Sequence, residues 1–176
     1  MSPETVTITV NGSRRTATAG GHLSLLRWLR EQAGVTDPKY GCGEGVCGAC
    51  AVLVDGLPVA SCIVLAAQVD GCEVTTAAGL GRPDGSPGPL QRAFHRSHAA
   101  QCGFCTPGML VCATALLAEG RPLDRQAIRE ALHGNICRCT GYGPIVTAIE
   151  AAQHELAETE GRAGAQGGDQ EAGGRG

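Results

Sequence analysis

Apolar and polar residues alternate from Val6 through Ile8 to Val10, and Asn11-Gly12 follows at once. Alternation means one buried face, and Asn-Gly accepts the left-handed backbone of a tight hairpin turn, so a strand pair is predicted. A second hairpin is predicted where "AVLV" at 51–54 and residues 58–61 flank Asp55-Gly56, and a further strand at 73–76 after Asp70-Gly71. The period changes between them. Leu25, Leu26, Leu29 and Ala33 recur at helical spacing and Gly34 supplies a stop, which predicts one helix packed on a small mixed sheet.

The second half reads as helical throughout. Leu90, Ala93 and Phe94 follow Pro89, a favoured first helical residue. Thr106-Pro107 opens a helix with Met109, Leu110, Ala113, Leu116 and Leu117 on one face and Gly120 behind it. Asp124 reads as an N-cap, with Leu123 and Ile128 placed as a hydrophobic staple. Ile145, Ile149, Ala152 and Leu156 give a last helix after Pro144, so four helices form a compact bundle. "GLGRPDGSPGP", starting at residue 79, is a Gly/Pro-rich linker, and "TEGRAGAQGGDQEAGGRG", from 159, has too few apolar residues to fold. The boundaries are therefore a first unit at 1–78, a linker at 79–88, a second unit at 89–158 and a disordered Gly-rich tail at 159–176.

Composition narrows the function. Hydrophobic residues make up 43% of the 176 and charged residues 18%, which permits a packed core, but one Trp, two Tyr and two Phe are few large side chains. Small domains short of these lean on metals or partners. The net charge of −3 comes without a basic run for nucleic acid or anionic membrane, and no stretch approaches a membrane span. "MSPETVTITV" lacks the features of a secretory signal, and ten cysteines without one point to metal or redox chemistry in the reducing cytoplasm rather than to disulfides.

The cysteines fall into two groups. Cys42, Cys47, Cys50 and Cys62 follow the C-x4-C-x2-C…C spacing of a plant-type [2Fe–2S] site. Wrapping three thiolates round one small cluster demands turns that side-chained residues resist, and Gly41, Gly43, Gly45 and Gly48 relieve that constraint. Four thiolates also suit Zn²⁺, but zinc motifs pair their ligands as C-x2–4-C twice over. The second group is Cys102 and Cys105, then Cys137 and Cys139. Its spacing alone fits zinc or a further [2Fe–2S] site; beside the first group it suggests an electron path.

"GCGEGVCGACAVLVDG", "QCGFCTPGM" and "NICRCTGY" together resemble the iron–sulfur subunit of the molybdenum hydroxylases, the xanthine, aldehyde and carbon monoxide dehydrogenase group, over residues 4–157. The resemblance implies an α+β chain: an N-terminal β-grasp ferredoxin domain, then a C-terminal four-helix domain, each with one [2Fe–2S] cluster. It also implies a large partner subunit carrying a molybdenum–pterin cofactor and a medium partner subunit carrying FAD, assembled as a dimer of heterotrimers. Electrons would enter at the Cys102, Cys105, Cys137 and Cys139 cluster and leave for the flavin from the Cys42, Cys47, Cys50 and Cys62 cluster. Gln101 and Cys139 match positions that lie against the pterin. Pro38 departs from a common glycine, a matter of local loop shape.

The remaining candidates read as structural. Cys72 and Cys112 are expected to be buried small hydrophobes, His95 and His98 to be solvated, and Trp28 to be core or subunit contact. No nucleophile–base set, Walker loop or HExxH occurs, so the chain carries no bond chemistry of its own. A free-standing two-cluster carrier and a zinc-binding interaction module are the rival functions.

Overall fold

The computed structural model describes the backbone of residues 4–166 and the side chains of residues 5–159. Strand β1 (Glu4–Val10) pairs antiparallel with β2 (Ser13–Ala19) across Asn11 and Gly12, both at positive φ, so the predicted tight turn is present. Asp55 and Gly56 turn in the same way between β3 (Ala51–Val54) and β4 (Leu57–Ala60). Strand β5 (Glu73–Thr75) lies parallel to β1 and antiparallel to β3, which gives the order β2-β1-β5-β3-β4. Val6, Ile8, Val10, Val52 and Val74 are buried on one face.

The predicted helix is there, but it is not regular. Ser24 caps α1 (Leu25–Arg27), and the next turn, Trp28–Gln32, is a π-helix in which the Ala33 N–H reaches the Trp28 carbonyl at 3.0 Å. Leu25, Leu26, Trp28 and Leu29 are all fully buried, a broader apolar face than a 3.6-residue stripe presents. From within that turn Arg30 Nη1 donates to the carbonyls of Thr36 (2.7 Å) and Pro38 (2.8 Å), tethering the approach to the first cysteine loop. Trp28 is core.

The second unit contains α2 (Pro89–Arg96), α3 (Thr106–Ala118), α4 (Arg125–Ala131) and α5 (Gly143–Gln166). Asp124 caps α4, its carboxylate accepting the Ala127 N–H at 2.8 Å, and Leu123 and Ile128 share the core with Met109, Ala113, Ile145 and Ile149. The tail expected to be disordered from 159 is corrected in part: α5 continues through 159–166. A helix already nucleated and packed extends at little cost per residue, and Ala, Glu, Arg and Gln favour it. Residues 167–176 lie outside the described residues.

The two units share a packed boundary. Val111, on the side of α3 away from the helical core, packs with Ala51 and Leu53 of β3 and with Ala77. The segment read as a linker begins as a helical turn at Ala77–Leu80, and Leu80 packs against both this contact and the helical core.

Candidate metal centre

The first cysteine loop is closed by the Lys39 N–H on the Ala49 carbonyl (2.9 Å). Within it the Cys42 N–H lies 3.4 Å from Cys47 Sγ, and the Glu44 N–H lies 3.3 Å from Cys42 Sγ. The Glu44 and then the Val46 N–H bring the Cys42 thiol down to about 6, because backbone donors favour the thiolate. Close approach explains Gly41: a Cβ there would stand 2.8 Å from Cys47 Sγ.

Cys62 arrives from beyond the β3–β4 hairpin and is pinned from two sides. The first N–H groups of α1 hold its segment, Leu26 to the Ser61 carbonyl (2.9 Å) and Leu25 to that of Val64 (2.7 Å). The buried Ser61 hydroxyl donates to the Cys50 carbonyl at 2.6 Å. Cys62 therefore faces Cys50; burial first, then the Cys50 thiol beside it, pushes its own thiol up to about 11.

The second set also gathers as two pairs. Cys102 and Cys139 are exposed with their sulfurs 3.6 Å apart. Behind them burial, then the neighbouring Cys137 and Cys102, pushes the Cys105 thiol up to about 12. Burial also acts on Cys137, but the Thr140 hydroxyl, 3.1 Å from its sulfur, and nearby N–H groups outweigh it and leave that thiol lowered.

One hydrogen bond joins the sets: the Ile136 N–H donates to the Cys47 carbonyl at 2.9 Å. Beside it Gly48 lies against Gly134 and Asn135, where a Cβ would come within 2.3 Å of Asn135 Oδ1. Asn135 is buried, and its Oδ1 has no partner among the described residues.

The expected residues divide as follows. All eight ligand candidates gather in two sets, and Gln101 is exposed beside Cys102. Cys72 packs partly buried on the sheet core and Cys112 on the α3–β3 contact; no ligand candidate perturbs either thiol. His95 and His98 are exposed. Sequence reasoning assigned no role to Ser61, Asn135, Ile136 or Tyr142, although the last three stand inside the quoted "NICRCTGY".

These residues fit iron–sulfur clusters better than single ions. A [2Fe–2S] unit needs two thiolates at each of two irons, and paired sulfurs are what both sets offer. The buried Thr106 hydroxyl next to Cys105 has no partner among the described residues, as suits a donor facing a group bound there.

Comparison with known proteins agrees with this chemistry. Residues 8–75 match the "2Fe-2S iron-sulfur cluster binding domain" family and residues 76–150 the "[2Fe-2S] binding domain" family. The chain is 46% identical to the nicotine 6-hydroxylase small subunit of Paenarthrobacter nicotinovorans, over 89% of this chain and 93% of that one. It is 46% identical to the xanthine dehydrogenase iron-sulfur-binding subunit of Escherichia coli O157:H7, over 83% and 93% of the two chains. In quinoline 2-oxidoreductase from Pseudomonas putida 86 a chain 42% identical superposes with a TM-score of 0.84, over 90% of this chain and 98% of that one.

Proposed function

Because this chain belongs to the family of two-cluster iron–sulfur subunits of the molybdenum hydroxylases, we propose that it conducts electrons from a molybdenum–pterin centre on a large subunit to FAD on a medium subunit. Each [2Fe–2S] cluster, when bound, supplies a one-electron store between two oxidation states. Cys42 with Cys47 would hold one iron of the ferredoxin-domain cluster, and Cys50 with Cys62 the other. Cys102 with Cys139, and Cys105 with Cys137, would hold the cluster of the helical domain. The Cys102 and Cys139 sulfurs, 3.6 Å apart, and the thiol–thiol contacts of Cys42 with Cys47, Cys62 with Cys50 and Cys105 with Cys137 support this assignment.

The observation that carries the relay is the Ile136 N–H on the Cys47 carbonyl, because it makes the two ligand sets neighbours through a single hydrogen bond. In this reading exposed Gln101 and Cys139 face the pterin and the 40–50 loop faces the flavin.

A subunit is favoured over a free-standing carrier by the apolar surface. Tyr40, Val46, Ile63, Phe104 and Ile136 are exposed, and each lies within two residues of a ligand cysteine. Such a rim is suited to being covered by protein. We take the assembly to be a dimer of heterotrimers working in the cytoplasm. Cysteines kept as metal ligands suit a reducing compartment, and no helix among the described residues is long and apolar enough to cross a membrane.

The test is Cys47→Ser in the assembled complex, mixed anaerobically with substrate. The helical-domain cluster is expected to be reduced at the wild-type rate in rapid-freeze EPR while flavin reduction slows sharply. Flavin reduction at the wild-type rate would place the ferredoxin-domain cluster off the path.

A further inference from the structure

We propose that Tyr142 is a positioning residue for electron passage between the two clusters. Its phenol fixes both ends of the segment 135–137, so that the Ile136 N–H in the middle is aimed at the Cys47 carbonyl. The inference rests on the two-cluster relay proposed above.

Three hydrogen bonds define the arrangement. The Cys137 N–H donates to the Tyr142 hydroxyl at 2.8 Å, and that hydroxyl donates to the Asn135 carbonyl at 3.1 Å. The residue between them gives its N–H to Cys47, on the other ligand set, at 2.9 Å. One oxygen thus closes a clamp on a three-residue segment, and the middle N–H of that segment makes the contact between the sets.

The backbone at Tyr142 is an independent sign that this side chain is required. Its φ is +67°, in the left-handed region that bulky residues avoid, and the preceding Gly141 is at +65°. With glycine on both sides, position 142 keeps a large residue where glycine would relieve the strain. Strain of that kind persists where the surroundings demand it. The Tyr142 ring packs against the helical core, which steadies the phenol, and its N–H bonds the Thr140 hydroxyl at 3.2 Å, next to Cys137 Sγ.

With both clusters bound, the step served would be the passage of one electron from the helical-domain site held by Cys102, Cys105, Cys137 and Cys139 to the ferredoxin-domain site held by Cys42, Cys47, Cys50 and Cys62. No bond forms or breaks and no proton moves. The protein route is the Cys137 and Ile136 backbone, one hydrogen bond, then Cys47 to its sulfur. Without the phenol the ring still packs, but the 135–137 segment is free to drift and lengthen the hydrogen-bonded link.

Tyr142→Phe in the full-length two-cluster chain tests this. Pulse-radiolytic reduction followed by rapid-freeze EPR reads the redistribution of the electron between centres, with both midpoint potentials measured alongside. We expect both clusters to be retained, transfer to slow roughly ten-fold, as is usual when a partner behind a metal ligand is lost, and the Ile136 N–H to lose hydrogen-exchange protection. Replacing the Ile136 amide with an ester removes that N–H, also weakens the Asn135 carbonyl that accepts from Tyr142, and should reproduce the slowing. A wild-type rate in Tyr142→Phe or in the ester chain overturns the inference, as does slowing fully explained by a shifted potential. Loss of the helical-domain cluster in Tyr142→Phe also overturns it, since the phenol would then hold ligands rather than the link. A wild-type chain without two iron–sulfur centres overturns the relay itself, and this inference with it.

Discussion

The carbonyl oxygen of Gly48 occupies the place where Gly108 would carry a side chain: a Cβ built on Gly108 would lie 2.0 Å from it. One glycine belongs to the first cysteine loop and the other to the first turn of α3, so the two domains meet backbone to backbone beside the ligands. Gly108→Ala is expected to destabilise the chain by about 1–3 kcal/mol, the usual cost of overpacking, because the obstructing atoms are backbone and cannot rotate away. Iron should be lost first from the ferredoxin-domain site, whose Cys47 and Cys50 flank Gly48. Gly134→Ala, with nothing within 4 Å of its Cβ, is the control and should stay within about 0.5 kcal/mol of wild type. Thermal unfolding with iron analysis checks both; equal behaviour of the two variants would mean the domains do not depend on this contact.

Ser61→Ala should weaken one cluster alone. The Ser61 side chain is fully buried and its hydroxyl holds the Cys50 carbonyl at 2.6 Å, so removal leaves that carbonyl short of a donor at a cost of about 1–3 kcal/mol. Cys62 is the next residue, and its approach to Cys50 depends on this tie. Faster chelator-driven iron loss from the ferredoxin-domain centre, with the helical-domain EPR signal unchanged, is the expected result.

Much of this arrangement was legible in the sequence. Period-two runs with Asn11-Gly12 and Asp55-Gly56 mark the hairpins, and the cysteine spacings separate the two ligand sets. What pattern does not carry is the meeting of the halves. The helical pattern of α3 shows Met109, Ala113 and Leu116 facing one core, yet Val111 and Gly108 on its other sides serve a second contact that no local period announces. The π-turn after Arg27 escaped for a related reason: Leu25, Trp28 and Leu29, at i, i+3 and i+4, share a face in an ordinary α-helix too, so their spacing carries no sign of a wider turn. The phenol of Tyr142 and the hydroxyl of Ser61 act through single hydrogen bonds, which leave no periodic trace.

The partition of the ten cysteines has its own test. Cys72 and Cys112 are raised chiefly by burial and neither responds to a ligand candidate. Cys72→Ser and Cys112→Ser should therefore leave iron content at the wild-type level, with Cys112→Ser costing about 1 kcal/mol for a hydroxyl placed against the α3–β3 contact. Cys47→Ser and Cys105→Ser should each remove or perturb a single EPR-distinguishable centre. A control variant that loses a centre would show the ligand sets to be drawn wrongly.

The last expectation concerns acid. Glu155 on α5 accepts from Arg96 Nη2 at 3.0 Å and from Arg92, both on α2, and Arg96 first, then Arg92, holds its carboxyl below the ordinary 4.5. A lowered native value means that the folded chain binds this proton less readily than the unfolded chain. The pair therefore stabilises folding fully above the ordinary carboxylate range, and that stabilisation fades as the pH falls through the lowered native value. Glu155→Gln should melt below wild type at pH 7 and converge with it in acid. Because the carboxylate sits at the surface, the pH 7 difference should also shrink in high salt. Melting curves of both chains across pH and salt measure this, and a gap that persists unchanged into acid would mean that the glutamate acts through packing and not through its charge.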